Sequence, residues 1–207
     1  LVFSTLFILL MVDIKETMAL EQPKYEVIRS FDVFELRRYA PIIVAEVTVS
    51  GDRSEASSKG FRLIADFIFG NNKINGSSSK IDMTVPVVVE QVKIDMTAPV
   101  MIQDTGNPLS WKIQFVMPSQ YTLETLPKPN NEAVQIIAVP EKYYGVIKFA
   151  GFTGDETVAE KTAYLKSWVA KEKLSPIGTP RLARYNPPWT LPFWRRNEVL
   201  IEVNQPN

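Results

Sequence analysis

Few side chains in this chain can do chemistry, because it contains neither histidine nor cysteine. That removes imidazole bases, Ser-His triads, thiolate nucleophiles, disulfides and the commonest zinc and haem ligand together. What remains is carboxylate, phenol and guanidinium chemistry. A buried acid beside a Tyr or Trp in a cavity could act on a small apolar ligand by proton transfer. Glu46, Glu198, Tyr39 and Tyr185 are the candidates for that, but a plainer role as a surface or ion-paired strand residue is expected of each. Two further acids, Asp82 and Asp95, recur in an internal echo, Lys80-Ile81-Asp82-Met83-Thr84-Val85-Pro86-Val87 and Lys93-Ile94-Asp95-Met96-Thr97-Ala98-Pro99-Val100, which differs only at Val85 and Ala98. Metal or ligand contact by these aspartates competes with a plainer role as turn carboxylates beside core residues Met83, Met96, Val87 and Val100; the plainer role is expected. A third stretch, from Tyr185 to Val199, is dense in Trp189, Phe193, Trp194, Arg195 and Arg196. The arginines are expected to pair with Glu198 or to bond loop carbonyls and hold that stretch rigid.

These residues must be positioned by a strand-rich frame. Residues 25–31, 33–39 and 42–49 read as strands, with Phe34 and Leu36 alternating against Glu35 and Arg37. Asp52 and Glu55 form an acidic variant of the capping box, so a helix over 53–69 is predicted, stopped by Gly70. Gly60, Leu63, Ile64 and Phe67 give it a buried face. A neighbouring stripe of Phe61, Ala65 and Ile68 is apolar where a solvated face would be polar, and wants a partner. A polar loop follows at 71–79. Trp111, Ile113, Phe115 and Met117 alternate with Lys112, Gln114 and Val116 as a half-buried strand, and 126–132 reads as a connector between halves. The pattern then returns with strands at 134–139 and 143–150. A second box at Thr153 and Glu156 opens a helix over 155–173 that buries Val158, Leu165, Trp168 and Val169. Strands near 181–185 and 198–203 end the chain.

The expected fold is α+β: a distorted eight-stranded antiparallel β-barrel flanked by two helices, a pseudo-twofold duplication of a strand-helix-strand unit with repeats at about 25–118 and 133–204. At 207 residues, 45% of them hydrophobic, residues 23–205 suit a single domain. Lys plus Arg and Asp plus Glu balance at 23 each, so no field draws nucleic acid to the whole molecule, and a monomer is expected. Residues 1–22 form an apolar leader or disordered segment. The apolar run 1–12 is too short to span a bilayer and suits a signal-peptide core, with Thr17-Met18-Ala19 as cleavage site, or a membrane tether. A misassigned start at Met11 or Met18 is the plainer alternative. Nothing has the rhythm or glycine-rich loop of a nucleotide fold.

In the M-T-x-P-V of the echo and in Tyr185-Asn186-Pro187-Pro188 with Arg195-Arg196-Asn197-Glu198-Val199, the chain resembles the SOUL family of haem-binding proteins, over about 25–203. The resemblance implies a tetrapyrrole in a shallow apolar cleft between the first helix and the loop that carries the second phrase. One wall would be Phe61, Ala65 and Ile68; the other would be the loop with Trp189, Thr190, Phe193 and Trp194. Lys59 and Arg62 would reach the propionates by charge-assisted hydrogen bonds. Where some family members place a basic loop residue, this chain has Thr190. Without histidine, haem would be held with weak axial ligation or none. A binding protein for buffering or transport is therefore expected, not an enzyme. The alternatives are a GyrI-like effector-binding or hydrolase domain, which the duplicated layout also resembles, and a protein-interaction domain docking through the tryptophan loop.

Overall fold

A computed structural model describes residues 20–73, 94–107 and 109–206. The apolar leader with Thr17-Met18-Ala19, the first echo with Asp82, Met83 and Val87, and most of the 71–79 loop lie outside the described residues. No helix among the described residues is long and apolar enough to cross a membrane.

Alternating β-branched and aromatic residues build the strands in the expected places. In chain order they are β1 (Tyr25–Phe31), β2 (Phe34–Tyr39) and β3 (Ile42–Ser50), then helix α1 (Arg53–Ile68), β4 (Asn72–Lys73), β5 (Val100–Asp104), β6 (Ser110–Val116) and β7 (Lys128–Pro129). After these come β8 (Gln135–Val139), β9 (Lys142–Phe149), helix α2 (Asp155–Lys171), β10 (Pro176–Arg184) and β11 (Asn197–Val203). Nine strands form one curled antiparallel sheet in the order β1-β2-β9-β11-β10-β5-β6-β3-β8, and β4 pairs with β7 in a separate ladder. The sheet does not close: β1 and β8 are its two edges. The expected eight-stranded barrel is therefore corrected to an open nine-stranded half-barrel with two helices. Nor is the expected duplication shown, since the helices differ in both cap and buried face.

The caps make that difference concrete. Asp52 accepts from the backbone N–H groups of Ser54 and Glu55 at 2.8 and 2.9 Å, as the box predicts. On α2 the N-cap is Gly154, with no side-chain hydrogen bond. Thr153 instead presents its carbonyl to Arg53, so the second box is not one.

Two apolar layers result. Val199, Ile201 and Val203 of β11 face the helices together with Ile64, Phe67, Leu165 and Trp168. Leu200 turns to the inside of the curl with Tyr39, Val44, Met101, Tyr144 and Ala183, the period-two alternation of a strand covered on both faces. Gly60 lets α1 sit directly on β6, because a Cβ there would meet Ile113 Cγ1 at 2.4 Å. Double-sided burial extends to the charged positions of β2: Arg37 is 0% and Glu35 8% exposed, although they alternate with Phe34 and Leu36. Likewise Gln114 and Val116 of β6 are buried beside Ile113 and Phe115. From the second echo, Ile94 is fully buried and its N–H bonds the carbonyl of Ile68 at 2.8 Å. Asp95 is exposed, Met96 is half-buried and the Thr97 hydroxyl bonds the carbonyl of Val116. No acidic cluster among the described residues is placed to hold a metal ion.

Candidate functional site

Between β10 and β11 the chain makes a loop whose ends are fastened and whose middle is greasy. Tyr185 N–H bonds the carbonyl of Arg196 at 3.2 Å, and Asn186 Oδ1 accepts from the Arg196 N–H at 2.6 Å. Arg195 reaches back to the carbonyls of Thr190 and Pro188, at 2.7 and 2.6 Å. Arg196 pairs with Glu198 at 2.8 Å. Both arginines therefore do what the sequence suggested. Asn197 Nδ2 bonds the carbonyl of Gly151, and the Gly151 N–H bonds that of Pro192, which ties the loop to the end of β9. Across this frame a short 3-10 turn, Pro192–Trp194, turns its aromatic side chains outward. Trp189 is 83%, Phe193 65% and Trp194 70% exposed, with Leu191 and Phe152 exposed beside them. Phe193 and Trp194 meet edge to face, 5.0 Å between centroids.

The root of this loop touches α1. Arg184, the last residue of β10, donates to the hydroxyl of Ser57. Ser57 stands one turn before Phe61 on the same flank of the helix, and Phe61 is 38% exposed with its ring against Phe115, 5.3 Å between centroids. The apolar stripe of α1 is only partly a surface. Ala65 is 8% exposed and Ile68 1%, inside the core. The curled sheet and residue 94 cover a wider arc of the helix than a flat sheet would, so of the three expected wall residues Phe61 alone presents a face. Lys59 and Arg62 lie on the outer side, where with Ser50, Ser54, Glu55 and Ser58 they line a polar hollow of about 520 Å³. The side chain of Thr190 supplies no charge, but its carbonyl draws Arg195 to that position.

A second constellation sits inside the curl, and sequence reasoning caught only part of it. Glu198 is 0% exposed and accepts five hydrogen bonds: two from Arg37 at 2.8 and 3.0 Å, one from the Tyr185 hydroxyl at 2.8 Å, and two from Arg196 at 3.0 and 2.8 Å. Arg37 also donates to Glu35 at 2.6 Å and to the Tyr39 hydroxyl at 2.9 Å. Burial alone would lower the Arg37 pKa, but the hydrogen bonds to Glu198 outweigh it and hold the guanidinium charged. Burial, then the Glu198 charge, push the Tyr185 phenol far up. Burial raises Glu35, yet hydrogen bonds from Lys148 and Arg37 win and keep it below the usual carboxylate range. Three of the four acid and phenol candidates thus converge. Glu46 does not join them; it bonds Gln114 and Lys112. Arg37 was missed because an alternating strand disguises it, and the signal for it is its would-be partner, Glu198, in the loop phrase.

Two further concavities lie near these clusters. One, about 620 Å³, opens near the start of β3 and is lined by Ile42, Ile43, Val116, Met117, Tyr121 and Val139 among others. A void of only about 30 Å³ inside the curl touches Tyr39, Tyr144 and Arg181 but not Glu198.

Comparison with known proteins follows from this geometry. Among solved structures, the fold is similar to the EcmrR C-terminal domain, at TM-score 0.58 and 12% identity, over 87% of this chain and 98% of that one. It is also similar to a hydrolase from Listeria innocua, at TM-score 0.54 and 13% identity, over 83% and 91%. Identities this low establish the shared fold alone. Comparison with curated proteins finds no match. The profile described as SOUL heme-binding protein matches residues 20–92 and 89–202. A match that leaves out little beyond the leader and the last few residues settles the kinship, and the chain belongs to the SOUL heme-binding protein family.

Proposed function

We propose that the protein holds haem, or a tetrapyrrole of the same shape, in a shallow cleft between α1 and the 187–194 loop, as a carrier or buffer and not as an enzyme. The observation that carries this reading is the fastened loop with its outward aromatics, Trp189, Phe193 and Trp194. Fixed apolar surface of this kind favours a partner that removes it from water, at about 25 cal/mol per Å² before ordering costs. A flat macrocycle suits offset stacking on such rings. Phe61 supports a second wall, because the Arg184 contact with Ser57 brings its flank of α1 to the loop root. Lys59 and Arg62 can meet an acidic substituent only from the outer hollow. Haem would supply iron chemistry when bound. Here no imidazole exists to ligate it, so ring burial provides the affinity, and metal-free protoporphyrin binds within about tenfold of haemin.

A Soret-band titration tests the site. Phe61→Asp and Trp194→Ser should each weaken haemin binding at least about tenfold, the order expected for losing one buried aromatic contact. Unchanged affinity in both variants would remove the cleft from consideration.

A second reading, an effector-binding or hydrolytic module of GyrI type, has one observation in its favour: Tyr39, Tyr185 and Glu198 do converge. Against it, all five donors around Glu198 are already committed to that carboxylate, and the void inside the curl does not touch it. A carboxylate so satisfied supports a structural role.

A further inference from the structure

Three guanidinium groups flank the place where the loop root crosses α1. Arg184 donates to Ser57. Arg53, one turn earlier on the same flank, donates to Asp155 Oδ1 and to the carbonyl of Thr153, both at 2.6 Å. Arg195 lies over the ring of Phe152, the residue before Thr153, at 5.5 Å from its centroid. Ser57 and Arg53 share one flank of α1 a turn apart, and adjacent residues, Phe152 and Thr153, are touched by Arg195 and Arg53. Negative charge to balance them is scarce. Among the described residues the only carboxylate paired with any of the three is Asp155, which is 87% exposed and well screened. Among the described residues Arg184 has no acidic partner, and one of its five N–H donors is used. Burial, followed by the charges of Arg53 and Arg195, pulls its pKa below the ordinary arginine value. Like charges gathered in a half-buried place are costly until an anion joins them, and guanidinium forks suit the two oxygens of a carboxylate.

We propose that Arg53, Arg184 and Arg195 form an oxyanion seat at the root of the 187–194 loop, and that it takes the carboxylate arms of the ligand whose flat body lies on the loop. This rests on the tetrapyrrole reading above and supplies the charge recognition that Thr190 does not. Its placement argues for an acid attached to an apolar ring: Phe152 is 67% exposed and belongs at once to the aromatic surface and, under Arg195, to the cationic cluster. The seat binds, and no covalent step is involved.

Two probes in the same detergent buffer separate the possibilities, protoporphyrin IX as the free diacid and as its dimethyl ester. Wild type should bind the diacid about tenfold tighter or better, as a charge-assisted bidentate contact implies. Arg184→Gln, which retains a donor for Ser57, should erase that preference by weakening the diacid and leave the ester unchanged. Arg53→Gln serves as a second variant if circular dichroism shows the first to be misfolded. Equal weakening of both probes, or of neither, overturns the seat. Absence of binding by either probe in wild type defeats the tetrapyrrole reading itself. In that case inorganic phosphate, compared with chloride at matched ionic strength, is added to thermal unfolding. Stabilisation of wild type but not of Arg184→Gln would then show a seat for a free oxyanion and overturn its assignment to ligand carboxylates.

Discussion

Glu198 and Arg37 are both 0% exposed and joined by two hydrogen bonds, so removing the charge of one leaves the other uncompensated where water cannot reach it. Glu198→Gln keeps the volume and deletes the charge. Breaking a buried pair in this way costs about 3–5 kcal/mol. The lower end is expected here, since Glu35 still accepts from Arg37 at 2.6 Å. For a domain of this size, about 3 kcal/mol corresponds to a Tm fall of roughly 6–12 °C. Arg37→Met alone should be of comparable cost, because Glu198 would retain only Tyr185 and Arg196. Combining Arg37→Met with Glu198→Leu replaces the pair by apolar volume, which often restores much of the loss. Urea unfolding of wild type, Arg37→Met, Glu198→Leu and the double variant, with m-values checked for constancy, closes the cycle and gives its coupling energy, expected at about 2 kcal/mol or more. Additive singles, with coupling under about 0.5 kcal/mol, or a loss below about 1 kcal/mol for Glu198→Gln, would refute the view that this pair organises the inside of the curl.

The two helix starts should respond differently. Asp52→Ala should lower stability by about 1 kcal/mol in denaturant unfolding, whereas Thr153→Ala, which removes no cap, should stay within about 0.5 kcal/mol. Gly60→Ala should cost about 1–3 kcal/mol by overpacking in denaturant unfolding, since its Cβ would fall 2.4 and 2.8 Å from Ile113 Cγ1 and Cβ. Burial pushes the Tyr39 and Tyr144 phenols up to about 12. The native state then keeps protons that the unfolded chain releases, so this contribution is complete below pH of about 10 and is lost as pH rises to about 12. Tyr39→Phe should flatten that alkaline decline; an identical slope in wild type and variant would contradict the burial argument.

Much of the frame was legible because strands and caps are local. Alternating Phe34 and Leu36, the β-branched run of β3 and the Asp52 box each declare an element within a few residues. The same locality concealed what was missed. Arg37 looked like an outward residue because alternation cannot tell a solvated face from a second covered one, and its partner Glu198 is 161 residues away. Ala65 and Ile68 looked spare because a helix is ordinarily imagined on a flat sheet, and curvature is not written in any window of sequence. Openness of the sheet was hidden for a related reason: β1 has every residue exposed yet carries Tyr25, Val27, Ile28 and Phe31, the composition of an inner strand. In the candidate site, the arginines at 195 and 196 were readable from their neighbour Glu198. Arg184 was not, since only the folded chain sets it against Ser57.

The loop between Tyr185 and Arg196 is anchored through main-chain atoms, two guanidiniums and the amides of Asn186 and Asn197, none of which belongs to the rings it displays. Scaffold and display are thereby uncoupled. Residues 189, 191, 193 and 194 should therefore accept others of different bulk or polarity with little effect on folding, so that under the proposed function the displayed surface can be re-tailored while the architecture beneath stays constant.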